Sequence, residues 1–295
     1  VARQKYLAAQ RLADSGAPLK TTALIFHSEP MMAAINHARA MEEDGTFGAA
    51  ARDAWKLAGD EMVKFAMREI PTSWEVPIRL GLREDELARA ERIAAELEAL
   101  LPGRFAALEQ RLRDGLSAAQ KEALAVPPLD RNEAQHQLAA AATAAVRVTW
   151  PMVAREAPAE LQAKAKELTR QYVEAQETAE IIERYRDIVN FDFWRATCEA
   201  EVTEPALLAR EKIWEAEREF ENARLQPAKK AFDEAFAAWR KVLDASPVLR
   251  QDDLSAQDMR DVVDRYRKLL EQLDEPFPKP FVLQDVLDRA GPNPD

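Results

Sequence analysis

Leu161, Ala165, Leu168, Tyr172, Ala175, Ala179 and Ile182 recur in alternating steps of four and three, which places them along one side of an α-helix. An apolar seam sustained this long has to be matched by another apolar surface. The segment therefore predicts a long helix opening at Pro158 and packed against helical partners; at 1.5 Å per residue it reaches ~45 Å. Two more seams have the same spacing. Leu87, Ala90, Ala94, Leu97 and Leu101 form one, carried past Pro102-Gly103 by Phe105, Leu108 and Leu112. Ala134, Leu138, Ala141, Ala145, Val148 and Met152 form the other, its start marked by Asp130 with Glu133. With only 8 glycines in 295 residues, the tight turns of β-hairpins are scarce. The expected fold class is all-α, with helical hairpins flanking a long-helix bundle or coiled-coil-like spacer.

Punctuation divides the chain into three segments. Residues 1–82 read as a helical module: Gly16 and Pro18 end a first helix, Ser28 with Pro30 opens a second, and Asp44-Gly45 turns into a third that Thr46 caps. In it Ala38, Met41, Gly45, Ala51, Trp55 and Ala58 alternate small and large residues in the manner of a degenerate tetratricopeptide repeat. Pro71 and Pro77 make residues 70–82 an ordered loop or short extended crossing. Residues 83–190 hold the three seams, with breaks at Pro102-Gly103 and Pro127-Pro128. Residues 191–295 form a C-terminal module. Ile188, Val189, Phe191, Phe193 and Trp194 are apolar on every side and predict a buried junction. Thr203-Pro205, Pro227 and Ser255 open helices, and Ala235, Trp239, Val242 and Pro247 repeat the tetratricopeptide-like pattern. Pro276, Pro278 and Pro280, interleaved with Phe277 and Phe281, suit an extended strap. On this reading the spacer holds the two end modules apart in a rod-like particle.

Charge narrows the function classes. Against 41 basic residues stand 52 acidic ones, a net charge of -11, which repels phosphate backbones and argues against nucleic acid as a partner. The one cysteine, Cys198, forms no internal disulfide, so the fold is independent of an oxidising compartment. No apolar run is long enough to span a bilayer. The sequence opens on Val1 rather than Met, from which a processed or truncated N-terminus is expected.

Several stretches together resemble one family. LIFHSEPMMAAINHARAMEEDGTFG at 24–48, REIPTSWEVPIRL at 68–80, LLPG at 100–103, YRDIVNFDFWRATCEAE at 185–201 and FAAWRKVLD at 236–244 are similar to the large planctomycete proteins named for an "iron responsive element". The resemblance implies a C-terminal portion of a longer protein. It also implies tetratricopeptide-like helices and a hydrophobic export or anchor segment upstream, and hence an extracytoplasmic or envelope-associated setting. The family's name carries no chemistry, because an iron-responsive element is an RNA structure, and the resemblance brings no catalytic residue. The stretches that match are rich in Trp, Phe, Pro, Gly and turn-forming Asp.

Chemistry-bearing motifs are sparse. A di-iron bundle needs two Glu-x-x-His pairs, and this chain has Glu133 with His136 alone; His27 and His37 lack partners at zinc-ligand spacing. There is no Gly-x-Ser-x-Gly elbow and no Gly-rich phosphate loop. Cys198 sits near Glu199 and Glu201, where carboxylates oppose a thiolate. The sequence therefore predicts no catalytic residues, no cofactor and no metal. The expected role is a non-enzymatic scaffold binding a protein or peptide partner, with Trp74, Phe277 and Phe281 as candidate contacts; the alternative is an enzyme or metal carrier whose site assembles only in three dimensions.

Overall fold

The computed structural model describes residues 20–72 and 76–290. Among them are fourteen α-helices, and the extended pairing is confined to one antiparallel bridge, Ile70 with Ile78. The helices are α1 (Lys20–Glu43), α2 (Ala49–Met67), α3 (Arg83–Leu100), α4 (Arg104–Asp114), α5 (Ala118–Ala125), α6 (Glu133–Ala145) and α7 (Trp150–Arg155). There follow α8 (Ala159–Ile188), α9 (Phe191–Glu201), α10 (Glu204–Glu221), α11 (Leu225–Ala245), α12 (Pro247–Gln251), α13 (Asp253–Gln272) and α14 (Gln284–Leu287). The fold is all-α. Contacts divide it into two compact units, residues 1–81 with 182–295 and residues 82–181.

In the first unit α1 and α2 pair as a hairpin. The predicted helix start at Ser28 is corrected: α1 runs through Ser28 and Pro30, and the Ser28 hydroxyl donates to Ile25 O at 2.9 Å. An interior proline costs a helix bond, but Leu24, Met31, Ile35 and Ala38 are buried around it, and that packing outweighs the local penalty. The corner between the helices is a Schellman motif: Thr46 N donates to Met41 O at 2.8 Å and Gly45 N to Glu42 O at 2.9 Å, with Gly45 at φ +80°. Thr46 is thereby engaged in ending α1, and Gly48 rather than Thr46 is the N-cap of α2. Beyond α2, Ile70 and Ile78 exchange backbone bonds of 2.8 and 3.0 Å and are both buried.

The C-terminal helices belong to the same unit. Phe191 at the start of α9 packs against Phe65 of α2, ring centroids 6.2 Å apart. Ile188 is exposed, so the junction is buried from Phe191 onward rather than all through. Helices α10 and α11 form the most extensive pairing among the described residues, and Phe232, Phe236, Trp239, Val263, Tyr266 and Leu269 fill the core between α11 and α13. Asp252, not Ser255, caps α13, its Oδ1 accepting from Leu254 N at 2.8 Å. The expectation that a spacer keeps the two end modules apart is overturned. Trp214 of α10 lies against the Gly45 corner and stacks edge-on with Phe47 at 5.8 Å, and Arg52 of α2 pairs with Glu204 of α10. Apolar surface left on each hairpin is buried by the other, which is more favourable than solvating both.

The second unit has its core in Ile93 and Leu97 of α3, Leu108 of α4, Trp150 and Val153 of α7, and Ala165 and Leu168 of α8. The first and third seams thus face each other as expected. Of the second, Val148 and Met152 pack against the same core, but the part on α6 does not. Ala134, Leu138, Ala141 and Ala145 are exposed, and Ala139 and Ala142 are the buried residues of α6, which packs on α5. Its N-cap is Asn132 in a capping box with Gln135, in place of the expected Asp130 and Glu133.

Candidate functional site

Glu42 and Glu201, two buried carboxylates of the first unit, gather in one place. Met31, Ile35, Ala38 and Glu42 follow steps of four, three and four along the inward side of α1, so Glu42 occupies a core position and is 7% exposed. The Schellman corner fixes its backbone. Trp55 of α2, fully buried, donates its Nε1–H to Glu42 Oε1 at 2.8 Å. From α10, Arg210 Nε lies 4.0 Å from Glu42 Oε2 and donates to Glu201 of α9 at 3.1 and 3.3 Å, with its Nη2 bonded to Glu201 as well. Its guanidinium covers the ring of Trp239 on α11, 4.7 Å from the centroid. Arg39 meets Asp258 of α13 at 3.9 Å and lies 5.1 Å over Trp194. Helices α1, α2, α9, α10, α11 and α13 therefore meet through this network.

Its electrostatics follow from burial. Desolvation, reinforced by the charge of Glu201, pushes the Glu42 carboxyl up to about 7, although Arg210, the Trp55 bond and Arg39 oppose the shift. Burial works against the charge of Arg210, yet Glu201 and Glu42 hold its pKa above the usual value. Burial and then Glu201 and Glu199 push the Cys198 thiol up to about 12, so it stays a thiol at neutral pH.

Two concavities adjoin the network. A cavity of about 50 Å³ lies beside Trp239, with Phe193, Leu243, Leu249 and Met259 in its walls and Arg39, Ser255 and Asp258 also lining it. Between α2 and α9 runs an open groove of about 430 Å³, floored by Trp55, Met62, Ala66, Phe191 and Cys198 and edged by Val63, which is 64% exposed.

The residues singled out from sequence lie elsewhere. Trp74 falls outside the described residues. Phe281 is corrected from a partner contact to a core residue: it is 6% exposed and packs on Phe236 at 5.2 Å and Phe277 at 4.9 Å. Phe277 is half-buried between Tyr266 and the Arg267 guanidinium. Glu133 and His136 are exposed on α6, and His27 is buried in α1. Among the described residues no group of three or more His, Cys, Asp or Glu side chains is placed to hold a metal ion. No described helix is long and apolar enough to cross a membrane. The sequence reading missed Glu42, Glu201 and Arg210. A charge at a seam position of α1 was the available signal for the first.

Comparison with known proteins finds no matching family model, no matching curated protein and no matching solved structure.

Proposed function

We propose that the chain is a non-enzymatic helical scaffold that receives a helix or peptide of a partner protein in the groove between α2 and α9. The observation that carries this reading is the groove itself: an apolar floor built from two helices, open along one side, with an exposed valine at its edge. Grooves of this kind take the apolar face of an amphipathic helix through anchors at i, i+3, i+4 and i+7. The hairpins on either side support it, because Ala51, Trp55 and Ala58 on α2 and Ala235, Trp239 and Val242 on α11 occupy buried positions in the small-large-small order of tetratricopeptide-like helices. The groups of the Glu42 network are engaged with one another, which supports a structural role for them over a catalytic one. An envelope-associated assembly in the manner of the planctomycete proteins is the setting proposed, and it rests on the sequence resemblance.

The test compares the proteins retained from native cells by the wild-type chain and by Val63→Glu, a change at an exposed position that leaves the core intact. The expected result is a specific partner held by the wild type and lost by the variant at unchanged thermal stability. Identical retention by both sinks the groove as the docking surface.

A further inference from the structure

Gly59, Met62, Val63 and Ala66 stand at i, i+3, i+4 and i+7 of α2, one stripe of the helix, and all four line the groove between α2 and α9. Met62 is buried beneath it, but Val63 at its edge is exposed. Gly59 lies in the interior of α2, where glycine is the least favourable residue short of proline. Nothing in the fold asks for it. A Cβ built on Gly59 meets no atom within 4 Å beyond its own turn of helix, whereas at Gly45 the ring of Trp214 leaves no room. An apolar stripe thus keeps an open notch at a cost to its helix.

Four charged side chains rim the groove, and they are not equivalent. Lys56 is paired with Asp53 on its own helix at 3.3 Å, and Arg195 with Asp192 at 2.9 Å. Asp60 on α2 and Glu199 on α9 are exposed and have no ion pair or hydrogen bond among the described residues. The cations of the rim are matched, and two carboxylates are left over, one on each wall.

We propose that the partner segment in this groove is a basic amphipathic helix. It sets a large apolar side chain over Gly59, lays its apolar face along Val63 and Ala66, and brings a lysine or arginine to each of Asp60 and Glu199. This partner chemistry rests on the reading of the groove as a docking surface. An acidic helix is disfavoured there, because it meets Asp60 and Glu199 with like charge. The same carboxylates disfavour an anionic membrane surface.

The probes are two synthetic helical peptides of ~16 residues with the same leucine and alanine face, one flanked by lysines and the other by glutamates. Fluorescence anisotropy of each labelled peptide is read against the full chain at fixed low ionic strength. The lysine peptide is expected to bind saturably, and the glutamate peptide at least about fivefold more weakly, the worth of two exposed ion pairs. The whole chain is acidic, so the variants locate the site. Gly59→Leu fills the notch and should weaken the lysine peptide about tenfold, at a thermal stability equal to or above that of the wild type. Asp60→Asn with Glu199→Gln leaves the chain strongly acidic, yet should bring the two peptides within about twofold of each other. Undiminished binding to Gly59→Leu, or a lysine preference that survives the double variant, overturns the proposal. Equal binding of both peptides by the wild type, abolished by Val63→Glu, overturns the basic partner and leaves the groove as a docking surface. No saturable binding of the lysine peptide also overturns the proposal, while the docking reading stands or falls on the native-cell comparison of Val63→Glu. A chain that dimerises in sedimentation and is made monomeric by Val63→Glu puts a second copy in the groove, which overturns the proposal as well.

Discussion

Trp214 occupies the space above Gly45: a Cβ placed on Gly45 meets the indole Cζ2 at 2.6 Å, and the glycine sits at φ +80°. Conformation and contact both demand glycine there. The left-handed backbone costs an L-residue ~1–2 kcal/mol, and the collision with a rigid ring adds a comparable amount. Gly45→Ala is expected to lower stability by ~2–4 kcal/mol in chemical denaturation. Combining it with Trp214→Leu should recover the steric part, ~1 kcal/mol, because the two positions share one contact. Strict additivity would mean that the two hairpins do not touch at this corner.

Glu42 makes the stability of the fold depend on pH in the neutral range. A carboxyl raised from 4.5 to about 7 favours the protonated folded state. Its contribution is therefore fully present below about pH 4.5 and is lost as pH rises through about 7, a change on the order of 2–3 kcal/mol. Glu42→Gln keeps an acceptor for Trp55 and removes the titration. The variant should match the wild type near pH 5 and exceed it by ~2–3 kcal/mol at pH 8. Denaturation curves between these limits decide the matter, and a wild type more stable than the variant throughout would put Glu42 outside a desolvating environment.

The long helix α8 was legible because its seam is unambiguous: Ala165, Leu168, Ala175, Ala179 and Ile182 are all buried, and no competing apolar stripe exists on that helix. Helix α6 was not legible. Its sequence, EAQHQLAAAATAA, is apolar on nearly every side, so periodicity cannot choose between Leu138 with Ala141 and the pair Ala139 and Ala142 that α5 in fact covers. The Glu42 network was hidden for a different reason. Arg210 and Glu201 lie on helices rich in charge, and only the packing of α1 against α10 tells a buried pair from solvated neighbours. The pairing of Trp214 with Gly45 is likewise between residues far apart in sequence, where local patterning carries no information.

The proline strap is a structural closure for the C-terminal module. Phe281 stacks edge-on against Phe236, which in turn packs on Tyr266, whose hydroxyl donates to Asp233 Oδ1 at 2.7 Å. Phe281→Ala is expected to cost ~3–5 kcal/mol, whereas Phe277→Ala, half-buried, should cost ~1 kcal/mol. Equal, small losses in urea titrations would show a strap that is not packed on the module.

Arg210 is the residue whose removal should do most damage, because its two carboxylate partners are more deeply buried than it is. Glu201 is 2% exposed and accepts three bonds from Arg210, one from Nη2 and two from Nε. Arg210→Met takes these away while leaving the carboxylate in place. An uncompensated buried charge costs ~3–5 kcal/mol, and Glu42 loses its nearest cation at the same time. The ion pair itself need not be strongly stabilising, since desolvating both partners offsets much of their attraction. The single and double variants should therefore differ sharply. Arg210→Met is expected to lose ~3–5 kcal/mol, and Arg210→Met with Glu201→Leu only ~0–2 kcal/mol, because the stranded charge is gone and hydrocarbon fills the space beside Trp239. Equilibrium denaturation at pH 8, where Glu42 is ionised, is the sensitive condition. A single variant that loses less than ~1 kcal/mol would show that water reaches Glu201 and that the network does not hold the helices together.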